Sequence, residues 1–526
     1  MASSQPASLA ALLCALILAP LVAPSQALAR NEGEQRRPNI VLFLVDDMGW
    51  QDTSVAFWER PTAFNAFYKT PSMERLARDG TRFTQAYAAA VCSPTRTSIM
   101  TGQNPARHRV TQWTLRPGQD PSGHTERLSS PAQWRMSGLQ PGDVTLPGLL
   151  LDAGYRTIHV GKAHWGAHGT PGSDPRQLGF DVNIGGHAAG APGSYSGATN
   201  FAGNRDPAKD IWAVPGLERY HGLPVHLSDA LTVEALGAVD GAIDEGKPFY
   251  LYMAHYAVHT PIQPHEPYAQ AYRDAGTDEK ESRYASLIQG MDASLGAILA
   301  HLERRGVAKD TLILFSSDNG GLTVSSRGKD ARGNGLGSHN WPLREGKGSA
   351  YEGGTRIPQL LSWAEPDAGH ALQARLPIRA GSSIDALTIS EDLFPSVLSW
   401  AGVGLPAGHV IDGLDITPLI RGTGGAEFGR PLVFHYPHVW GPKGAGYQPH
   451  SSIRLGVHKA IYFYEPKRWE LYDLAADLGE AEDLAQAQPE LLGQLALRLR
   501  EELKLRGAQW PRLRSNDQAE PLELPR

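Results

Sequence analysis

At 526 residues, with 41% apolar and 20% charged residues, the chain can bury a large core, which excludes the disordered class. A net charge of −6 gives it no general attraction for nucleic acid, so an anionic substrate has to meet a local cationic cluster. Fifty-seven glycines and 39 prolines predict many loops between regular elements.

The first 29 residues lack Lys, Arg, Asp and Glu, and Leu9 to Val22 is an apolar run too short to span a bilayer comfortably. Ala27-Leu28-Ala29 places small residues where a signal peptidase cuts. Residues 1–29 therefore read as an export signal, and the protein is expected to be periplasmic or secreted, with no membrane span. Loss of that segment removes Cys14 and leaves Cys92 as the sole thiol, with no internal disulfide. A lone thiol in an oxidising compartment is a liability unless it is buried or used.

Ile40 to Val45 is a short β-branched run ending in Asp46-Asp47, as expected of a strand buried on both faces. Thr70-Pro71 reads as a helix start and Gly80 as its stop. A strand is expected from Arg82 to Ala89. Pro94 is expected to open the next helix and Gly102 to close it. The stretch from 185 to 204, rich in Gly, Ala and Ser, reads as a long active-site loop.

Tyr155 to Val160, Phe249 to His255 and Thr311 to Phe315 read as further strands, the last ending in Asp318-Asn319. Helical periodicity runs from Ser228, as a cap, to Ile243 and from Glu281 to Arg304. This alternation predicts an α/β fold with a large, mainly parallel central sheet flanked by helices. In such folds ligands bind at the carboxyl ends of strands, where Asp46-Asp47 and Asp318-Asn319 both lie. Past a boundary near Gly422 to Gly425, segments 452–457, 460–464 and 469–474 and a helix over 489–505 predict a smaller antiparallel sheet with a packed helix. The expected organisation is 1–29 signal, 30–422 catalytic domain and 423–526 C-terminal subdomain.

Cys92-Ser93-Pro94-Thr95-Arg96, followed by Thr101-Gly102, puts a cysteine near a helix N-terminus with an arginine close by. That is an electropositive place, suited to an anion or to a thiolate nucleophile. The pattern resembles the maturation and active-site signature of the formylglycine-dependent sulfatases, within the alkaline phosphatase superfamily. Five further segments resemble that family in order: Pro38-Asn39-Ile40 through Gly49, Gly161 to Gly166, His259-Thr260-Pro261, Ser317 to Gly320 and Leu343 to Gly348. Glu470 to Leu474 resembles its C-terminal subdomain.

The resemblance implies a sulfuric ester hydrolase with an alkaline phosphatase-like fold. Cys92 would be oxidised to formylglycine by a formylglycine-generating maturation enzyme. One hydroxyl of the aldehyde hydrate would attack sulfur, and the other would lose its proton to expel sulfate. Asp46, Asp47, Asp318 and Asn319, with an oxygen of the modified Cys92, would hold a divalent metal. These hard oxygen donors suit Ca2+, with Mg2+ as the alternative. Arg96, Lys162 and Lys347 would supply positive charge to the sulfate. His164 would be the base that collapses the sulfated intermediate and His259 the acid near the leaving oxygen. Glu345, two residues before Lys347, is placed either to pair with Lys347 or to contact substrate.

Segments 47–53 and 107–111 resemble the carbohydrate-acting subset, which implies a sulfated carbohydrate substrate of galactose type; an aryl or choline sulfate is the alternative. His108, Trp113, His187, His339 and His435 are the candidate substrate-pocket residues, each equally readable as packing or surface. Two other readings share the pattern. One is a phosphoester or phosphonate-ester hydrolase of the same superfamily, which a second carboxylate-and-histidine metal set would favour. The other is a catalytically silent carbohydrate-binding relative, which a missing ligand would favour; every expected ligand is present.

Overall fold

Asn39–Val45 (β1) is buried at every position because it lies at the centre of a sheet with a strand on either side. The computed structural model describes residues 36–525 apart from 205, 267, 324–325, 442–443 and 445. The export signal expected at 1–29, with Cys14, lies outside the described residues.

The other strands of this sheet are Thr81–Tyr87 (β2), Arg156–Gly161 (β3), Val182–Ile184 (β4), Phe249–Ala254 (β5) and Thr311–Ser317 (β6). Arg356–Trp363 (β7), Ser382–Ile384 (β8) and Thr388–Ile389 (β9) complete the nine. Their order is β9-β2-β7-β6-β1-β5-β3-β4, with β8 also beside β2. Only β7 is antiparallel to its neighbours, so the sheet is mixed and mainly parallel, as expected.

Side chains alternate across β1. Val41, Phe43 and Val45 pack on one face with Leu231 of Leu227–Asp244 (taken below as α3) and Met291 of Glu279–Arg304 (α4). Ile40, Leu42 and Leu44 pack on the other with Ile99 of Cys92–Thr101 (α2) and Phe394 of Leu393–Ala401 (α5). The remaining long elements are Pro71–Asp79 (α1), ahead of these, and Pro489–Leu505 (α6).

The antiparallel strands Leu432–Tyr436 (β10), His450–Leu455 (β11), His458–Phe463 (β12) and Arg468–Asp473 (β13) form the second, smaller sheet. Leu492, Leu495 and Leu499 of α6 cover Val433, Ile453 and Leu471. Among the described residues no helix is long and apolar enough to cross a membrane.

Local details differ from expectation. Helix α2 begins at Cys92, not Pro94; Pro94 sits in the first turn, where its missing N–H has no intrahelical partner to lose. Gly102 closes it with a φ of 68°, as expected. Thr70 does not cap α1 through its side chain, which bonds Ser54 instead. The capping carboxylate is Asp292 of α4, accepting from Ser72 and Met73 N–H at 2.9 Å. His226, not Ser228, caps α3, its Nδ1 accepting from Ser228 N–H at 3.2 Å.

Candidate active site

The catalytic candidates stand on four strand ends and one helix end. Asp46 and Asp47 follow β1, Lys162 and His164 follow β3, His259 follows β5, and Asp318 and Asn319 follow β6. Cys92 opens α2, and Lys347 comes from the connection between β6 and β7. All are buried except His259, whose side chain is 18% exposed and so lies at the mouth.

Three cations interlock with three carboxylates. Arg96 donates from Nε to Asp318 Oδ2 at 2.8 Å and from Nη1 to the Lys162 carbonyl at 2.7 Å. Lys162 Nζ meets Asp46 Oδ2 at 2.7 Å, and Lys347 Nζ meets Asp47 Oδ1 at 2.5 Å. Burial raises the Asp47 carboxyl, but Lys347, His259 and Lys162 outweigh it and hold the group below the usual carboxylate range. Asp318 is likewise held low, with Arg96 and Lys162 outweighing burial. Asp46 behaves oppositely: burial pushes it well above that range despite Lys162.

A cation fits here. Asp46 Oδ1, Asp47 Oδ2 and Asn319 Oδ1 are buried without any hydrogen-bond partner. An unpaired buried oxygen is costly unless something positive meets it. Asn319 is turned to expose that oxygen, because its amide nitrogen donates to Asp47 Oδ1 and to the Gly320 carbonyl at 2.9 Å. Ligand atoms of Asp46, Asp47 and His259 lie within 4.8 Å of one another, the one such group of three among the described residues. Oxygen donors of this kind suit a hard divalent ion. Both oxygens of Asp318 already accept, from Arg96 and from Asp47 N–H, although each retains a further lone pair.

The loop carrying these ligands is held from behind. Asp47 has a φ of 63°, and the Tyr284 hydroxyl donates towards its carbonyl at 3.3 Å. The same hydroxyl reaches Asp52 Oδ2 at 2.7 Å, which also accepts from Gly49 N–H. Arg327, fully buried, pairs with Asp52 and Glu281 and ties the segment after β6 to this loop.

Cys92 Sγ lies 3.3 Å from His164 Nδ1. The other ring nitrogen, Nε2, is 2.8 Å from the Thr114 carbonyl, which can only accept. Nε2 therefore carries the hydrogen, and Nδ1 presents a lone pair to the side chain at 92. Burial, with Lys162 and Arg96 nearby, keeps this imidazole well below its usual range and hence neutral. Burial also pushes the Cys92 thiol up, despite Lys162 and Lys347, so the electropositive setting does not make it a thiolate.

The sulfatase family model matches residues 38–403, and a model of the N-sulphoglucosamine sulphohydrolase C-terminal region matches 349–507. The chain belongs to the sulfatase family. It is a sulfuric ester hydrolase by that membership. N-acetylgalactosamine-6-sulfatase of Mus musculus is 30% identical over 85% of this chain and 76% of its own. Arylsulfatase G of Rattus norvegicus is 30% identical over 82% and 77%. A sulfatase of Formosa agariphila is 26% identical over 90% and 88%. Among solved structures, Ps i-CgsB superposes with a TM-score of 0.70 at 24% identity, covering 89% of this chain and 93% of its own.

The five candidate substrate residues of this sulfatase divide. His187 meets the site through its backbone, its carbonyl accepting from His164 N–H at 3.1 Å, and Trp113 is only the chain neighbour of Thr114. His108, His339 and His435 are not brought to it. His108 is buried behind α2, its ring between Ser98 Oγ and Val110 N–H. His435 bonds Ser451 and the Gln509 carbonyl, both at 2.8 Å. His339 packs against Glu281 and the Gly328 carbonyl in the Arg327 cluster. The loop from 185 to 204 does reach the site, with Gly190 against the His164 ring. Thr114, Gly190, Trp440 and Tyr447 were not foreseen from sequence. Glu345 accepts from the Tyr447 hydroxyl at 3.1 Å.

Proposed function

We propose that this sulfatase removes sulfate from a sulfated carbohydrate of galactose type, using formylglycine made from Cys92 and a bound Ca2+. The observation that carries the reading is the side chain at 92, facing a neutral imidazole lone pair beside three cations and three unpartnered oxygens. The similarity to N-acetylgalactosamine-6-sulfatases supports the sugar, and the all-oxygen donor set supports calcium. The uncharged N-terminal run and Ala27-Leu28-Ala29 support export to the periplasm or beyond, and maturation by a formylglycine-generating enzyme is part of the reading. We assign the catalytic domain to 30–422 and the C-terminal subdomain to 423–526.

Formylglycine supplies a hydrated aldehyde as nucleophile, and the cation, held by Asp46, Asp47, Asp318 and Asn319, supplies Lewis-acid charge. Lys162, Lys347 and Arg96 offset the three carboxylates, so a divalent ion leaves the centre net positive for the sulfuryl group. His164 Nδ1 takes a proton from the group at 92, and Thr114 fixes the tautomer that allows it. His259, pushed down to about 3 by burial and Lys347, becomes a proton donor once a bound sulfate's charge raises it. Its position at the mouth suits protonation of the leaving oxygen.

The test is mass spectrometry of the Val91 to Arg96 peptide from native-host protein, which is then offered a panel of sulfated sugars. A loss of about 18 Da at Cys92 and release of sulfate from galactose-type sugars are expected. An unmodified thiol in protein that still turns over would sink the formylglycine assignment.

A further inference from the structure

Beyond the sulfate-binding centre, the surface opens into a cleft of about 700 Å3 lined by His124, Glu126, Trp440, Tyr447, Gln448 and Arg514. That lies within the roughly 300–1,000 Å3 of sites that enclose small molecules. The cleft and the centre share a wall. Trp440, half-buried, packs against the small cluster of Ala90, Val91 and Tyr436, the first two just before Cys92, and its ring lies 5.5 Å from Lys347 Nζ. Gly348 fits beneath this ring; a Cβ there would come within 3.2 Å of it, and its N–H is bonded to the Ala90 carbonyl. Tyr447 forms the next part of the wall, its hydroxyl fixed by Glu345 two residues before Lys347.

The lining has a definite chemistry. Trp440 and Tyr447 offer aromatic surface, and His124, Glu126 and Arg514 put exposed polar heads around it. Arg514 donates to the Thr125 carbonyl at 3.1 Å, and among the described residues no ion pair involves it, with Glu126 on the same rim. Aromatic faces with a polar rim suit a ligand that has both a C–H face and hydroxyl edges. Three separate parts of the chain line the cleft: Gly123 to Glu126; Val439, Trp440, Gly441, Gly444, Tyr447 and Gln448; and Arg514, although none belongs to the sulfatase signature.

We propose that this cleft holds the sugar residue joined to the sulfated one, so that the substrate is an oligosaccharide engaged over at least two residues. This rests on the carbohydrate reading above.

The test compares kcat/KM for N-acetylgalactosamine 6-sulfate with that for a chondroitin 6-sulfate trisaccharide ending in the same residue. Formylglycine-bearing enzyme is used throughout. The trisaccharide is expected to be preferred by about tenfold or more, and Trp440→Ala to bring the ratio near one. Because Trp440 also packs on the cluster that contains Val91, the exposed pair His124→Ala/Arg514→Ala is read in parallel, where the ratio is expected to fall by at least about half. A ratio near one in the wild type, or a preference that survives in both variants, overturns the subsite. No sulfate release from either sugar overturns the carbohydrate reading, and the subsite with it.

Discussion

Arg96 and Asp318 form an ion pair of 2.8 Å in which neither side chain reaches solvent. Arg96 also holds the Lys162 carbonyl, so one guanidinium joins α2 to the ends of both β3 and β6. Removing one partner of such a pair strands the other charge, at about 3–5 kcal/mol. Arg96→Ala is therefore expected to lower unfolding free energy by about that amount in urea titration, with kcat lost as well. Arg96→Lys keeps the charge but not the planar fork, so it should retain more stability than activity. An unchanged urea midpoint for Arg96→Ala would contradict the link between strand ends.

The unpartnered oxygens of Asp46, Asp47 and Asn319 predict a metal effect on stability, not only on rate. A ligand bound only by the folded state adds about 2.7 kcal/mol when present at about 100 times its Kd. Chelation should therefore lower the melting temperature, and added Ca2+ should restore it. Asn319→Ala should weaken calorimetric Ca2+ binding while leaving Asp46 paired with Lys162. A melting temperature indifferent to both chelator and calcium would count against the site.

Much of this centre was legible in the sequence because its ligands are fixed by strand ends and by one contiguous motif, Cys92 to Arg96. The buried strands were legible for the same reason: unbroken β-branched runs such as Ile40 to Val45 have few other homes. Strand β7 was hidden by Pro358, which ordinarily argues against an interior strand. The sheet accommodates it where the β2 register shifts between Phe83 and Ala86, so Thr84 and Gln85 oppose the one proline. Thr70 looked like a cap, yet the capping carboxylate comes from Asp292, far along the chain. The histidines show the limit of residue type. His108 and His435 differ from His164 not in chemistry but in which carbonyls and hydroxyls fold onto them, and no local pattern records that.

Glu391 predicts a pH effect away from the candidate cation site. Burial, with Asp392 beside it, pushes its carboxyl up to about 7, although Asn104 donates to it at 3.0 Å. A folded state that binds this proton more tightly than the unfolded chain gains stability below the unfolded value of about 4.5. That gain is lost as pH rises from there through about 7. Glu391→Gln keeps an acceptor for Asn104 and removes the titration. The variant should be more stable than wild type at pH 8, by on the order of 2 kcal/mol, and no more stable at pH 4. Urea unfolding at both pH values measures this, and a constant difference between them would refute it.

Gly190 predicts how tightly the His164 imidazole is held. A Cβ at 190 would lie 2.2 Å from His164 Cε1 and 2.5 Å from Nδ1, so one of the two must move. The ring cannot yield easily: Nε2 is tied to the Thr114 carbonyl, its own N–H to the His187 carbonyl, and its φ is 61°. Gly190→Ala should therefore pull Nδ1 away from the side chain at 92. A displacement near 1 Å at such a contact lowers kcat by about 100-fold, and overpacking costs about 1–3 kcal/mol. Gly237→Ala is the matched control, since a Cβ in the middle of α3 meets nothing within 4 Å. There the substitution should stabilise by about 0.5–1 kcal/mol through helix propensity and leave kcat alone. Steady-state kinetics and urea unfolding of the two variants separate the effects. A folded Gly190→Ala enzyme with wild-type kcat would contradict this prediction, showing that the 185–204 loop takes up the clash and leaves His164 Nδ1 in place.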